Sequence, residues 1–228
     1  MDTINNKAVK MKTVWDHGPP SNLQWNRKFV AGKSITGTRV PYQRPQYYSA
    51  GVLPYSWDAG GNLVFLLGKD REGNWSDFGG RSEQQDYQNH VKTASRELYE
   101  ETLGAVMNMD SAQRMLSQPS YSEKRGVINS KTLGGSPYYM YFLEIQYADY
   151  KKNFKRIYDY MKYIGQKFLE KIDIRWVSSE TLLAAVDEEL KNSNVLVPLR
   201  PIFRTTILDH IEEIKNIGIA NPHCQTHS

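Results

Sequence analysis

The stretch that decides the fold is Trp75–Val106, WSDFGGRSEQQDYQNHVKTASRELYEETLGAV. Its centre is Arg96-Glu97-Leu98-Tyr99-Glu100-Glu101, with the pair Gly79-Gly80 before it and Gly104 behind it. A helix over Gln88–Leu103 gathers Val91, Ala94, Ser95, Leu98 and Thr102 on one stripe and Glu97, Glu100 and Glu101 on another. The acidic stripe is unfavourable alone. Glu97 has like charges three and four residues on, each pair costing about 0.2–0.5 kcal/mol. The cluster also lies toward the helix C-terminus, where the macrodipole disfavours negative charge. A hard cation such as Mg²⁺, which takes oxygen ligands and bridges carboxylates to substrate phosphates, relieves both penalties. A solvated acidic face with Arg96 as its counter-ion is the plainer alternative, but it leaves the flanking glycines unexplained.

Together these residues resemble the Nudix box, Gly-x5-Glu-x7-Arg-Glu-U-x-Glu-Glu-x-Gly-U with U aliphatic, the signature of the Nudix hydrolases. Gly80 falls on the opening glycine, Arg96, Glu97, Leu98, Glu100 and Glu101 on the core, and Gly104 and Ala105 on the end. The chain departs from the pattern twice. Two extra residues lie between Gly80 and Arg96, so the motif's first Glu has no direct match, and Glu83 and Asp86 are its candidates. One extra residue follows Glu101, where Thr102-Leu103 replaces a single position.

The resemblance implies an α/β fold, a Nudix-type α/β/α sandwich around a mixed β-sheet, here with an N-terminal extension. It implies an enzyme that cleaves a diphosphate linkage in a nucleoside diphosphate derivative with Mg²⁺ or Mn²⁺ and an attacking water. By motif match Glu97, Glu100 and Glu101 hold metal together with the carbonyl of Gly80, or of Gly79 given the altered spacing. Glu100 or Glu101 doubles as general base. Arg96 braces the box through a carboxylate, Glu83 or Asp86, and Gly79 and Gly104 shape its ends. The box also resembles those of Nudix proteins from large DNA viruses, some of which remove mRNA caps. Capped RNA, releasing m7GDP, is therefore the most specific substrate implied, with free nucleotides such as ADP-ribose, nucleotide sugars or dinucleoside polyphosphates as the competitor. A Nudix-fold nucleotide- or RNA-binding protein without catalysis is the remaining class. It would be marked by loss of a metal carboxylate, and all three are present.

Outward from the box, Gln46–Tyr55 and LVFLLG (63–68) read as two strands of a hairpin around the turn Asp58-Ala59-Gly60-Gly61-Asn62. Trp75–Arg81 reads as a Gly-rich loop that must approach other backbone closely. Beyond the box, Ser111–Ser117 reads as a short helix and Tyr138–Ile145 as a central strand. Glu144 is the charged residue in that strand, at an outward strand end or facing a cleft. Tyr150–Lys171 reads as one helix, with Phe154, Ile157, Tyr158, Met161 and Ile164 at apolar spacing and Lys151, Lys152, Lys155, Arg156, Lys162 and Lys167 as a basic face that solvent or RNA could cover. Ile172–Val177 reads as a strand, Ser178-Ser179-Glu180 as a cap for a helix over Thr181–Leu190, and Ile202–Lys215 as a last helix opened by prolines. Glu170, just before the strand, is a loop carboxylate that could act on the attacking water. Arg81, Glu144 and Glu170 are the candidates for substrate contact.

Composition bounds the rest. The chain has 228 residues, 39% hydrophobic and 24% charged, enough for one globular domain with extensions. Residues 1–40 read as an extension, 41–217 as the hydrolase domain and 218–228 as a tail. Lys+Arg 29 against Asp+Glu 25 gives net charge +4, which suits a polyanionic substrate without demanding one. The single Cys224 excludes an internal disulfide framework, and no signal pattern or apolar run of membrane-spanning length is read. A soluble, cytoplasmic protein with no membrane partner is the expectation. An aromatic clamp for a methylated base has candidates in Trp15, Tyr47, Tyr48, Tyr121 and Tyr138.

Overall fold

The computed structural model describes residues 47–118, 126–167, 169–188 and 197–219. The expected extension and residues 220–228 of the expected tail, with Trp15, Tyr121 and Cys224, lie outside them, while residues 218 and 219 continue the last helix. Strands β1 (Ser49–Trp57) and β2 (Leu63–Asp70) form the expected hairpin. Its turn is held by Asp58, whose Oδ1 accepts the Gly60 and Asn62 amides at 2.9 Å each.

These strands are paired only where Tyr55–Trp57 meets Leu63–Phe65, and beyond that point each takes a different partner. The segment read as a glycine loop fills this gap. Its β3 (Trp75–Ser76) pairs with β2 at Gly68 and Lys69, and its β4 (Phe78–Arg81) pairs with β1 over Ser49–Val52. The loop is therefore strand, because the parted strands leave backbone donors and acceptors that some segment must satisfy.

Seven strands make one mixed sheet in the order β3-β2-β1-β6-β5, with β4 on β1 and β7 on β2. Here β5 is Val127–Lys131, β6 Pro137–Glu144 and β7 Lys171–Ser178. β6 runs parallel to β1, and every other pairing is antiparallel. Alternate residues of β1 face opposite ways, as the period of a strand requires. Leu53, Tyr55 and Trp57 join one core and Ala50 and Val52 the other.

Helices cover both faces. Helix α1 (His90–Glu101), α2 (Met109–Leu116) and α3 (Tyr150–Tyr163) supply Ala94, Leu98, Ala112, Leu116 and Phe154 to one core. Helix α4 (Ser179–Glu188), α5 (Pro201–Asp209) and α6 (Ile211–Ile219) supply Leu182, Val186, Phe203, Ile207, Ile214 and Ile217 to the other. The α/β/α sandwich around a mixed sheet is thus present.

Several boundaries differ from the sequence expectation, four of them with a local cause. Helix α1 begins late because Tyr87 and Gln88 have φ of 51° and 58°, outside helical space, and Asn89 then caps it by accepting from Val91 and Lys92. Helix α2 starts at Met109, capped by the Asn108 side chain. The basic helix stops at Tyr163, with Gly165 at φ +80°, so Lys171 belongs to β7 and Ile164 is exposed rather than packed. The last helix is two, broken at His210, whose φ of −126° leaves the helical region. Among the described residues no helix is long and apolar enough to cross a membrane.

Candidate active site

Helix α1 lies across β1 and β4, so its inner face meets Gly79 and Gly80 directly. Arg96 is the organising side chain. It is buried, and burial alone would favour losing its charge, yet the carboxylates around it hold it firmly protonated. Nη1 donates to Glu97 Oε1 at 2.8 Å and Glu100 Oε2 at 2.9 Å, while Nη2 donates to the Arg81 carbonyl at 3.0 Å and Asp86 Oδ2 at 3.1 Å. Nε donates to Asp86 Oδ1 at 3.3 Å. A planar fork of five donors suits this many acceptors.

The bracing carboxylate is therefore Asp86, not Glu83. Asp86 is buried in a short 3₁₀ turn (Gln84–Asp86), where it also accepts from the Glu83 amide at 2.8 Å and the Thr93 hydroxyl at 2.9 Å. Burial works to raise its pKa, but the hydrogen bonds from Arg96, the Glu83 amide and Thr93, with the Arg96 charge, together outweigh it and hold the carboxyl below the usual range. Glu83 reaches Arg96 only at 3.6 Å from an exposed position. The two extra loop residues are absorbed in the turn and the two left-handed residues after it.

Two further carboxylates are buried against the glycines. Glu101 Oε2 accepts the Gly79 amide at 2.8 Å, while Oε1 accepts no hydrogen bond and has the Lys171 ammonium 3.5 Å away. A methyl group at Gly80 would come within 2.5 Å of the Glu97 carboxylate and would have to displace it. Desolvation pushes Glu97 up to about 7 against the pull of Arg96, with Glu100 and Glu170 adding to the rise. Desolvation likewise pushes Glu101 up to about 8 against Lys171, with Glu97, Glu170 and Asp77 adding. Burial raises Glu100 more modestly, and its side chain stays about a third exposed. The site carries more negative charge than its own cations neutralise.

Behind Glu101 runs a buried polar chain that sequence reasoning missed. Lys171 donates to Ser76 Oγ at 2.8 Å, Ser76 donates to the Asp77 carbonyl at 2.9 Å, and the Tyr138 hydroxyl donates to Asp77 Oδ2. Burial pushes the Asp77 carboxyl up against that hydrogen bond. The only legible signal for Lys171 was a lysine opening an apolar strand.

Glu101, Glu170, Lys171 and Arg200 line an open cleft of about 270 Å³ with Asp70 and Glu72. A second cleft of about 400 Å³ lies over Gly79 and Gly80, lined also by Arg81, Leu133, Tyr138 and Arg200. Glu97, Glu100, Glu101, Gly79, Gly80, Arg81 and Glu170 are thus brought together as the sequence implied. Glu144 is not. It pairs with Tyr55 whereas Gly80 pairs with Ala50, which puts it about 16 Å along β1 at about 3.3 Å per residue, in a separate cleft with Trp57 and Tyr147. Of the clamp candidates, Tyr48 and Tyr138 are buried, and Tyr47 is exposed with the Arg81 guanidinium 4.7 Å above its ring.

Among the described residues no three acidic, His or Cys side chains converge as a finished metal site, since Arg96 draws Glu97 and Glu100 to itself. The donor set still suits a hard divalent cation. It offers two buried carboxylates of raised pKa, one bare oxygen on Glu101, and a backbone kept clear of side chain at Gly80.

No protein-family model matches this chain, and no curated protein does. Among solved structures it is similar to the Nudix hydrolase RenU of M. smegmatis, at 16% identity and TM-score 0.42 over 82% of this chain and 97% of that one. It is similar also to the ADP-ribose complex of the Nudix domain of Shewanella oneidensis NrtR, at 14% identity and TM-score 0.41 over 80% and 94%. A binary complex of the C. elegans Ap4A hydrolase matches at 11% identity and TM-score 0.40 over 75% and 96%. Likeness this distant assigns neither substrate nor reaction.

Proposed function

We propose that this chain is a divalent-metal-dependent pyrophosphohydrolase of the Nudix type, cleaving a diphosphate linkage in a nucleoside diphosphate derivative. The observation that carries the reading is Glu101, a buried carboxylate fixed by the Gly79 amide on one oxygen and left without a hydrogen bond on the other. Burial of a carboxylate whose charge is only partly offset, here by Lys171, is costly unless a further cation completes it. Glu97 and Glu101 would hold Mg²⁺ or Mn²⁺, with the Gly80 carbonyl and Glu100 at its margin. Bound there, the ion would neutralise phosphate oxygens and acidify a water.

The remaining work falls to this chain's own side chains. Arg96 keeps Glu97 and Glu100 in place and works against the burial that favours their protonation. Lys171 holds Glu101 from behind and offsets part of its charge. Glu100 Oε2 and Glu101 Oε2 are both engaged, whereas Glu170 is exposed on the cleft wall and has no side-chain partner among the described residues. This favours Glu170 over Glu100 and Glu101 as the carboxylate that takes the proton from the attacking water.

Capped mRNA is the most specific substrate within this reading. It is supported by the cleft's extension past Arg71 and Leu169 to Tyr158 and Lys162 on α3, and it implies work in the cytoplasm. The test is turnover with Mg²⁺ or Mn²⁺ on cap-labelled RNA beside ADP-ribose, cap analogue and dinucleoside polyphosphates. Glu101→Gln should cut turnover by at least about 10³-fold while circular dichroism and melting stay close to wild type. Activity indifferent to chelator, or retained by Glu101→Gln, would sink the reading. Release of m7GDP from RNA with little cleavage of cap analogue would select decapping, and the reverse preference would select a free nucleotide.

A further inference from the structure

Among the described residues the walls of the two clefts over the box carry four cations, and three are already committed. Arg71 donates to the carbonyls of Leu169 at 2.9 Å and Lys167 at 2.6 Å. Lys171 is held by Ser76 and Glu101, and Arg81 lies over the Tyr47 ring. Arg200 makes no side-chain hydrogen bond, close ion pair or ring contact among the described residues, its charge acting only at longer range to help hold the buried Asp77 carboxyl and Tyr138 hydroxyl down, and its side chain is exposed.

Its position is fixed nonetheless. The Arg200 amide donates to the Trp75 carbonyl at 2.9 Å, the Trp75 amide donates to the Pro198 carbonyl at 2.7 Å, and Leu199 bridges to Trp75 in parallel. That pins the start of α5 to β3, directly before the box glycines. From there Arg200 lines both the cleft of Glu101 and Glu170 and the cleft over Gly79 and Gly80. The first cleft is otherwise rich in carboxylates, with Asp70, Glu72, Glu101 and Glu170 on its walls. A polyanion entering it needs a cation that no carboxylate has already claimed.

We propose that Arg200 is the substrate's phosphate-binding residue, a guanidinium that takes one phosphate of the diphosphate where the ligand passes from the Glu101 cleft into the cleft over Gly79–Gly80. This rests on the reading of the site as one for diphosphate derivatives. Its bidentate fork matches two non-bridging oxygens of one phosphate. A guanidinium that no carboxylate holds by a hydrogen bond divides the charge with the box: Arg200 holds one phosphate, and the carboxylates' cation holds the other.

The experiment is equilibrium binding of inorganic pyrophosphate to the full chain in chelator, by calorimetry at low ionic strength. Wild type, Arg200→Gln, Arg200→Lys and the remote surface variant Lys152→Gln are compared. Because Arg200 is hydrogen-bonded into the fold only through its backbone, all four should melt alike. Arg200→Gln should weaken pyrophosphate at least tenfold, Arg200→Lys should keep part of the affinity, and Lys152→Gln should match wild type. Wild type without measurable metal-free affinity, or Arg200→Gln binding as wild type does, overturns the proposal, as does an equal loss in Lys152→Gln. Once a substrate is found, Arg200→Gln should raise KM far more than it lowers kcat. Pyrophosphate binding that depends on Arg200 in a protein without turnover would retain the anion site and remove the hydrolase.

Discussion

Arg96 shows why a single residue in the box cannot be exchanged conservatively. Its three nitrogens reach Asp86, Glu97, Glu100 and the Arg81 carbonyl at once, a geometry a lysine ammonium cannot copy. Arg96→Met should lose about 3–5 kcal/mol, the scale for a buried charge stripped of its partner, and urea unfolding would measure it. A loss under about 1 kcal/mol would mean the carboxylates find other partners. The presence of Arg96 and its glutamates was legible in the sequence, since their spacing alone puts them on one helical face. The choice of Asp86 over Glu83 was not, because it depends on which carboxylate the 3₁₀ turn buries.

At the scale of elements, the end of α1 accounts for the extra residue after Glu101. Leu103 takes φ +55° and its amide donates to the Glu100 carbonyl at 3.1 Å, while the Gly104 amide donates to the Tyr99 carbonyl at 2.8 Å. This is a Schellman closure with leucine at the left-handed position and glycine one residue later. Gly104 is itself at φ +69°, and a methyl there would press on the Tyr99 ring at 2.8 Å.

Helix α3 is the least anchored element. Phe154 is its only fully buried side chain, and its Lys151–Asp173 ion pair is solvent-exposed, which makes that pair worth about 0–1 kcal/mol. Phe154→Ala should therefore cost about 3–5 kcal/mol and expose α3 to protease ahead of the sheet. Cleavage no faster than wild type would show that Tyr150 and Tyr158 suffice to hold it. Periodicity found α3 but overran its end, because apolar spacing continues past Tyr163 while the backbone at Gly165 does not.

For the whole molecule, the clustered carboxylates set how stability depends on pH. Glu97 is pushed up to about 7 and Glu101 to about 8 from an ordinary 4.5. A carboxyl raised on folding contributes stability that is complete below its unfolded value and lost as pH rises through the folded one. In chelator the chain should melt lower at about pH 8.5 than at about pH 5, at about 2–4 °C for each kcal/mol lost. Mn²⁺ should recover the difference at the higher pH and add little at the lower, where protons occupy the ligands. A melting temperature flat across that range, or unmoved by Mn²⁺, would contradict a cation site at Glu97 and Glu101.

The sequence by itself determined the box helix, the hairpin before it, the α/β class and the identity of the acidic residues, because helical and strand periods are local properties that residue spacing records. Only the tertiary structure decided that the glycine segment is a strand wedged between β1 and β2, that Lys171 stands behind Glu101 from 70 positions away, that Arg200 is left uncommitted, and that Glu144 lies elsewhere. Each of these depends on which distant backbone a segment pairs with, and strand pairing across long separations leaves no period in the chain to read.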